Sequence, residues 1–429
     1  MLSPAVEGFP MKSLVILGAG TGGTTLANRL QRRLPAGWRI TVVDPERQHL
    51  YQPGLLFIPF GAHDEAAMLR ERKRTLREGI EWVQAAVQTV EPEKQRVRLA
   101  DGGMLSYDWL VIASGSRLRP ELTEGLLGAG WHHTTHDFYT LEGAQELRAK
   151  LAGFRKGRLV VNIFEMPIKC PVAPMEFLFL ADDFLRKRGM RKDVELVFAT
   201  PLDKAFTRPV CAAVLGDMLG DRGIKLETEF VAGSVDGEKK VLRSFDDREV
   251  PFDLLVAVPT HSGAAFVHDS GFGNELDFVP TEKDTLRMKG QERIWVLGDA
   301  TDLPSSKAGS VAHFQSEILE QNLLAAFAGK ELPARFDGHS NCFIESGGGK
   351  AMMVDFNYEV EPLPGWYPLP AVGPFKLLGE SRINHLGKLA FRSVYWNALL
   401  PGRPIPLSPH MSMRGKHFPT AKEETHAGA

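Results

Sequence analysis

Residues 14–23 read LVILGAGTGG, and no other stretch limits the chain as much. An apolar run, Leu14 to Leu17, stops at a cluster of glycines, and small residues then open a helical pattern. Gly18, Gly20 and Gly23 give G-x-G-x-x-G between a strand and a helix. Gly18 permits the tight turn, Gly20 lets the backbone approach a pyrophosphate, and Gly23 lets helix pack closely on strand. The helix N-terminus then turns its unpaired N–H groups on the phosphates. Asp44 lies 21 residues after Gly23 and closes RITVVDP, where a carboxylate can accept from ribose hydroxyls. The pattern predicts a Rossmann-like dinucleotide site.

The rest of the chain repeats the strand-then-helix texture. YDWLVIASG, GRLVVNIF, DVELVFATP, FDLLVAVPT and ERIWVLGDA are short apolar runs bounded by turn residues. Between them, KRGM and GDRGIKLE read as helix ends with glycine stops. Strands alternating with helices predict parallel sheets, hence an α/β fold. At 429 residues the chain exceeds one ordinary core and calls for two or three domains. FAD is the expected dinucleotide. Gly298 and Asp299 in WVLGDA supply a second strand-end carboxylate for the flavin half, and Ser114 and Gly115 end the strand before the chain leaves the first domain. The expected organisation is two Rossmann-like domains plus a C-terminal amphipathic helical region. Residues 12–117 with 280–330 would bind FAD, 118–279 would form the second unit, and 331–429 the C-terminal region.

The second unit lacks what a nicotinamide site needs. After RLVVNIF comes EMPIKCPVAP, with Cys170 between Pro167 and Pro171 and no glycine. Prolines fix φ and remove N–H donors, which is the opposite of a phosphate cradle. Electrons must then reach the flavin by another route, and Cys170 is the candidate. Only three cysteines are present, Cys170, Cys211 and Cys342, too few for a disulfide scaffold. Cys211, at an expected helix start, reads as structural. A net charge of −2 excludes a global bias toward nucleic acid. No apolar stretch reaches the length of a membrane-spanning helix, and MLSPAVEGFPMK has no signal-peptide pattern.

PIKCPVAPMEF, with a late NCFIESGGGKA, YQPGLLFIPFG and DLPSSKAGSVAHFQ, resembles the sulfide:quinone oxidoreductase family, disulfide-reductase-like flavoproteins with two dinucleotide-binding domains. The resemblance covers nearly the whole chain. It implies that Cys170 and Cys342 form a redox-active pair flanking the flavin, with Cys342 nearer the ring and Cys170 carrying the growing persulfide. It also implies that Glu176, with Glu165 as an alternative, handles protons. Lys350 and Lys307 are the cations proposed to act on thiolate or reduced flavin. Many members carry a further cysteine soon after the ASG strand; GWHHTTHDFYT has none. A covalent flavin link is therefore not expected. His132, His133 and His136 could ligate a metal by count, but no further ligand set is evident, so no metal is expected and a proton-handling role is the better reading.

Between Pro374 and Thr420 seven basic residues, Lys376, Arg382, Lys388, Arg392, Arg403, Arg414 and Lys416, face one acid, Glu380. Ile383, Leu386, Leu389, Ala390 and Val394 follow helical spacing on one side. A basic amphipathic helix with aromatics suits an anionic membrane surface, and a quinone stays in the lipid. Phe343, Phe356, Tyr358 and Trp366 are candidates for lining its channel. The expected protein is a peripheral enzyme of the cytoplasmic membrane, a homo-oligomer, oxidising sulfide to polysulfide or persulfide and reducing quinone. Two other readings stay open: an NADH:quinone oxidoreductase of the same fold, and a flavin-bearing sulfur-relay protein without quinone turnover.

Overall fold

The computed structural model describes residues 11–370 and 372–418. The N-terminal stretch read for a signal, up to residue 10, and Thr420 lie outside them. A five-stranded parallel sheet has the order Ile294–Val296, Trp109–Ile112, Lys12–Leu17, Trp38–Val43, Ile80–Val83. Residues 14–17, Trp109–Ile112 and Ile294–Val296 are continuous apolar runs because both faces of the sheet centre are covered. Leu14 and Ile16 meet Leu26, Phe314 and Ile318 from the helices Thr21–Leu30 and Gly309–Phe327 on one face. Val15 and Leu17 meet Phe266 and Val267 on the other.

A second five-stranded parallel sheet runs Thr135–His136, Leu254–Val258, Gly157–Ile163, Val194–Ala199, Ile224–Glu227. Helices Leu141–Gly153, Ala173–Lys187 and Pro209–Asp221 pack against it through Leu147, Phe177, Leu178 and Leu215. Cys211 is fully buried in this core, three residues into its helix. The glycine stops fall as read: Gly189 (φ +70°) and Gly223 (φ +61°) take the left-handed conformation just past two helices.

The C-terminal region departs from an extended connector followed by a helix. Ser340–Gly347 and Lys350–Phe356 form an antiparallel hairpin, joined by the short strands Phe375–Leu377 and Gly365–Tyr367. The helix Arg382–Val394 lies against this sheet and ends in a π-helical turn, Tyr395–Leu399. No helix among the described residues is long and apolar enough to cross a membrane.

Candidate active site

The glycine loop has the shape a dinucleotide needs. A Cβ at Gly18 would strike the Ala113 carbonyl, and one at Gly23 the Gly18 carbonyl, so both positions demand glycine for packing; above Gly20 there is no atom within 4 Å. Asp44 accepts from the Ala19 N–H (2.7 Å) and pairs with Arg72 (3.2 Å). Arg72, buried beneath the loop, also donates to the Ala19 carbonyl. At the neighbouring strand ends, the Ser114 and Ser116 hydroxyls are buried with no hydrogen-bond partner, and Gly115 has φ +70°. Gly298 donates its N–H to Gln315 (2.7 Å). Burial pushes the Asp299 carboxyl up, while Lys307 and Lys169 pull it back. Lys307 donates to the carbonyls of Asp299 (2.9 Å) and Thr301 (2.7 Å), and burial holds its pKa down to about 8. Open space over the loop and orphaned hydroxyls at its rim fit an FAD.

The segment that replaces a second glycine loop is stitched to this site. Lys169 bridges Lys307, and the Cys170 N–H donates to the Lys307 carbonyl (2.7 Å). Cys170 sits at φ +50°, a conformation non-glycine residues seldom adopt and one that clusters at functional sites. Cys342 comes from the hairpin, opposite Val354. Both thiols are free and partly buried on one apolar cluster. Burial pushes the Cys170 pKa well up, with Glu176 and Cys342 adding to it; burial likewise raises Cys342 to about 12, and Lys388 works against both shifts. The pair in its reduced form therefore holds its protons.

Glu176, in the first turn of the helix after Cys170, is buried beside both thiols. It accepts from the Glu345 N–H (2.6 Å) and from Lys388. Lys388 also donates to the Phe343 carbonyl (3.1 Å). Glu345 in turn meets His385 (3.0 Å), which reaches the surface. Sequence reading missed Lys388, Glu345, His385 and Lys169. Lys388, expected on the basic membrane face, instead turns inward onto Glu176. Lys416, expected there too, is buried on Asp355 (2.5 Å). Lys350 is not brought to the cysteines: it stands exposed in the hairpin turn, bridged to Gly347. Glu165 is also exposed. Phe356 is buried under Arg208, Phe343 packs on Phe375, Tyr358 on Phe336, and Trp366 is exposed, so these four do not line one channel. His136 is buried with both ring nitrogens unpartnered, its ring stacked 6.1 Å from His132.

The fold and the loop define an FAD-type flavoprotein built on two Rossmann-like parallel sheets, one of which carries the dinucleotide loop. A family model described as pyridine nucleotide-disulphide oxidoreductase matches residues 12–161. The mitochondrial sulfide:quinone oxidoreductase of Mus musculus is 26% identical over 91% of this chain and 86% of its own, and that of Dictyostelium discoideum is 27% identical over the same shares. The crystal structure of the sulfide:quinone oxidoreductase from Aquifex aeolicus superposes with TM-score 0.76 at 19% identity, over 91% of this chain and 92% of that one. The chain is an FAD-dependent oxidoreductase, similar to sulfide:quinone oxidoreductases over about nine-tenths of its length.

Proposed function

We propose that the protein oxidises sulfide through a Cys170–Cys342 pair, with quinone as the final oxidant, at a membrane surface. The observation that carries this is the placement of Cys170, Cys342, Glu176 and Lys388 in one buried pocket where a nicotinamide loop would otherwise lie. In the oxidised pair, HS⁻ attacks the Cys170 sulfur. The S–S bond breaks, a persulfide forms on Cys170, and Cys342 leaves as the thiolate. That thiolate is formed in a pocket that disfavours charge, and the Lys388 ammonium is the group placed to offset it. Glu176, buried beside both thiols, is the candidate to take the persulfide proton. Bound FAD supplies two-electron acceptance and relay to quinone. Gly18, Gly20 and Gly23 with Asp44 would hold its adenosine diphosphate half, and Ser114, Gly115, Gly298, Asp299 and Lys307 its flavin half.

An outward apolar face on the C-terminal helix supports membrane contact. Ile383, Leu386 and Val394 are 51%, 60% and 40% exposed. The test is an anaerobic sulfide titration of the flavin spectrum in wild type, Cys170→Ser and Cys342→Ser. Bleaching in wild type and in neither variant is the expected result. A wild-type flavin that ignores sulfide but bleaches with NADH would overturn the reading.

A further inference from the structure

The π-helical turn that ends the C-terminal helix does not stop at the surface. Tyr395 is 2% exposed and packs with Tyr51, Met68, Trp396, Leu399 and Leu400. Its hydroxyl lies 2.6 Å from His49 Nε2 and 2.8 Å from Thr21 Oγ1. His49 Nδ1 lies 3.1 Å from the Ala19 carbonyl oxygen. Burial, with Arg72 beside it, holds the His49 pKa down to about 3, so the ring is neutral at working pH. A carbonyl only accepts, so Nδ1 carries the proton and Nε2 must accept. The directions then follow: Thr21 donates to Tyr395, Tyr395 donates to His49, and His49 donates to Ala19.

These bonds close a ring around one residue, Gly20, running from the carbonyl before it to the side chain after it. Gly20 is the glycine with open space above it. The other polar group of the Ala19 residue is fixed too, since its N–H donates to Asp44. A second tie holds the same turn to the same helix: Asn28 Nδ2 donates to the Leu400 carbonyl (2.8 Å).

We propose that Tyr395 is a positioning residue for the dinucleotide loop: through His49 and Thr21, and alongside Arg72 and Thr24 (2.8 Å), which also donate to the Ala19 carbonyl, the end of the C-terminal helix helps to fix the Gly20 peptide against which the FAD pyrophosphate would bind. Tyr395 touches Thr21 and His49 and acts on the cofactor through them.

Tyr395→Phe keeps the ring in its apolar cluster and deletes the hydroxyl. Thr21→Val removes the donor on the loop side. The full chain, stripped of FAD, is titrated with FAD while quenching of flavin fluorescence is followed, and melting temperatures are read with and without FAD. Each variant is expected to bind FAD about tenfold more weakly, with the apoprotein melting as wild-type apoprotein does. The double variant should be no weaker than the worse single one, because both changes open the same ring. Unchanged FAD affinity in the variants overturns the proposal. So does an equal loss of melting temperature with and without FAD, which would make the hydroxyl a packing group only. Should Tyr395→Phe not fold, Thr21→Val alone decides, since its affinity either falls or does not.

Discussion

Lys388 keeps its charge because of what flanks it. Burial works against the ammonium, but Glu176, Glu345 and Cys170 together outweigh it and hold its pKa above the ordinary value. The pair with Glu176 is almost dry, the two side chains being 13% and 1% exposed. Removing one partner of such a pair leaves a buried charge without its counterion, at a cost of about 3–5 kcal/mol. Lys388→Met should therefore lower stability by that order in a urea melt. It should also slow anaerobic reduction of the flavin by sulfide by roughly 10²-fold, since a thiolate then forms beside Glu176 with no cation to meet it. Lys388→Arg should recover much of the stability and part of the rate. A Met variant that reduces as fast as wild type would remove Lys388 from the chemistry and leave it a structural ion-pair partner. Nothing local in the sequence marks Lys388 for this place. Its neighbours in the chain suit a surface lysine, and its partners lie 212 and 43 residues away.

The C-terminal helix is inside out for a helix of a globular protein. Along Arg382–Val394 the inward residues are polar or mixed: Asn384, His385, Lys388 and, past its end, Tyr395. The apolar Ile383, Leu386, Leu389 and Val394 face outward. The sequence reading found that stripe by its period. It could not tell which side of the stripe met the protein, because a 3.6-residue period gives a face and not a direction. A spacing rule also could not foresee that Asn384 would accept from the Lys376 N–H (3.0 Å) and donate to its carbonyl (2.8 Å), which pins the helix polar side down. Such a face matches a membrane interface, and it gives a test at this scale. Leu386→Ser with Leu389→Ser should cut binding to vesicles containing anionic lipid by tenfold or more, taking about 1.5 kcal/mol or more for each leucine withdrawn from the lipid. The sulfide-dependent bleaching of detergent-free protein should stay as in wild type, because neither leucine touches the cysteine pocket. Equal vesicle binding in the variant would assign the face to another occupant.

Across the whole molecule, the parallel sheets and the FAD loop were legible because each is built from contiguous sequence: an apolar run, a glycine turn, a helix start. The hairpin carrying Cys342 and the Glu176–Lys388–Glu345 cluster were not, because they depend on pairings between distant segments that no local period encodes. The same long-range packing seals titratable side chains in the interior, and this sets how the molecule responds to acid. His136, in the second sheet, and His313, in the helix Gly309–Phe327 of the first unit, are 1% and 2% exposed, and burial takes both pKa values down to about 4. Unfolded, each would bind its proton near pH 6.5. The stability they carry is thus intact above pH 6.5 and is lost as pH falls from there toward 4. By pH 5.5 the loss should be on the order of 1 kcal/mol for each histidine. Raised acids oppose it: burial pushes Asp137 and Glu317 up, so each takes up a proton more readily folded than unfolded. Comparing two proteins at the same two pH values cancels those terms. Urea melts of wild type and His136→Phe at pH 7.5 and 5.5, with FAD in fixed excess, should show the variant losing about 1 kcal/mol less than wild type over that interval. Any packing offset of the phenylalanine ring is common to both pH values and drops out of the difference. Parallel losses in the two proteins would mean that His136 binds its proton as readily folded as unfolded, and that acid sensitivity enters through other groups.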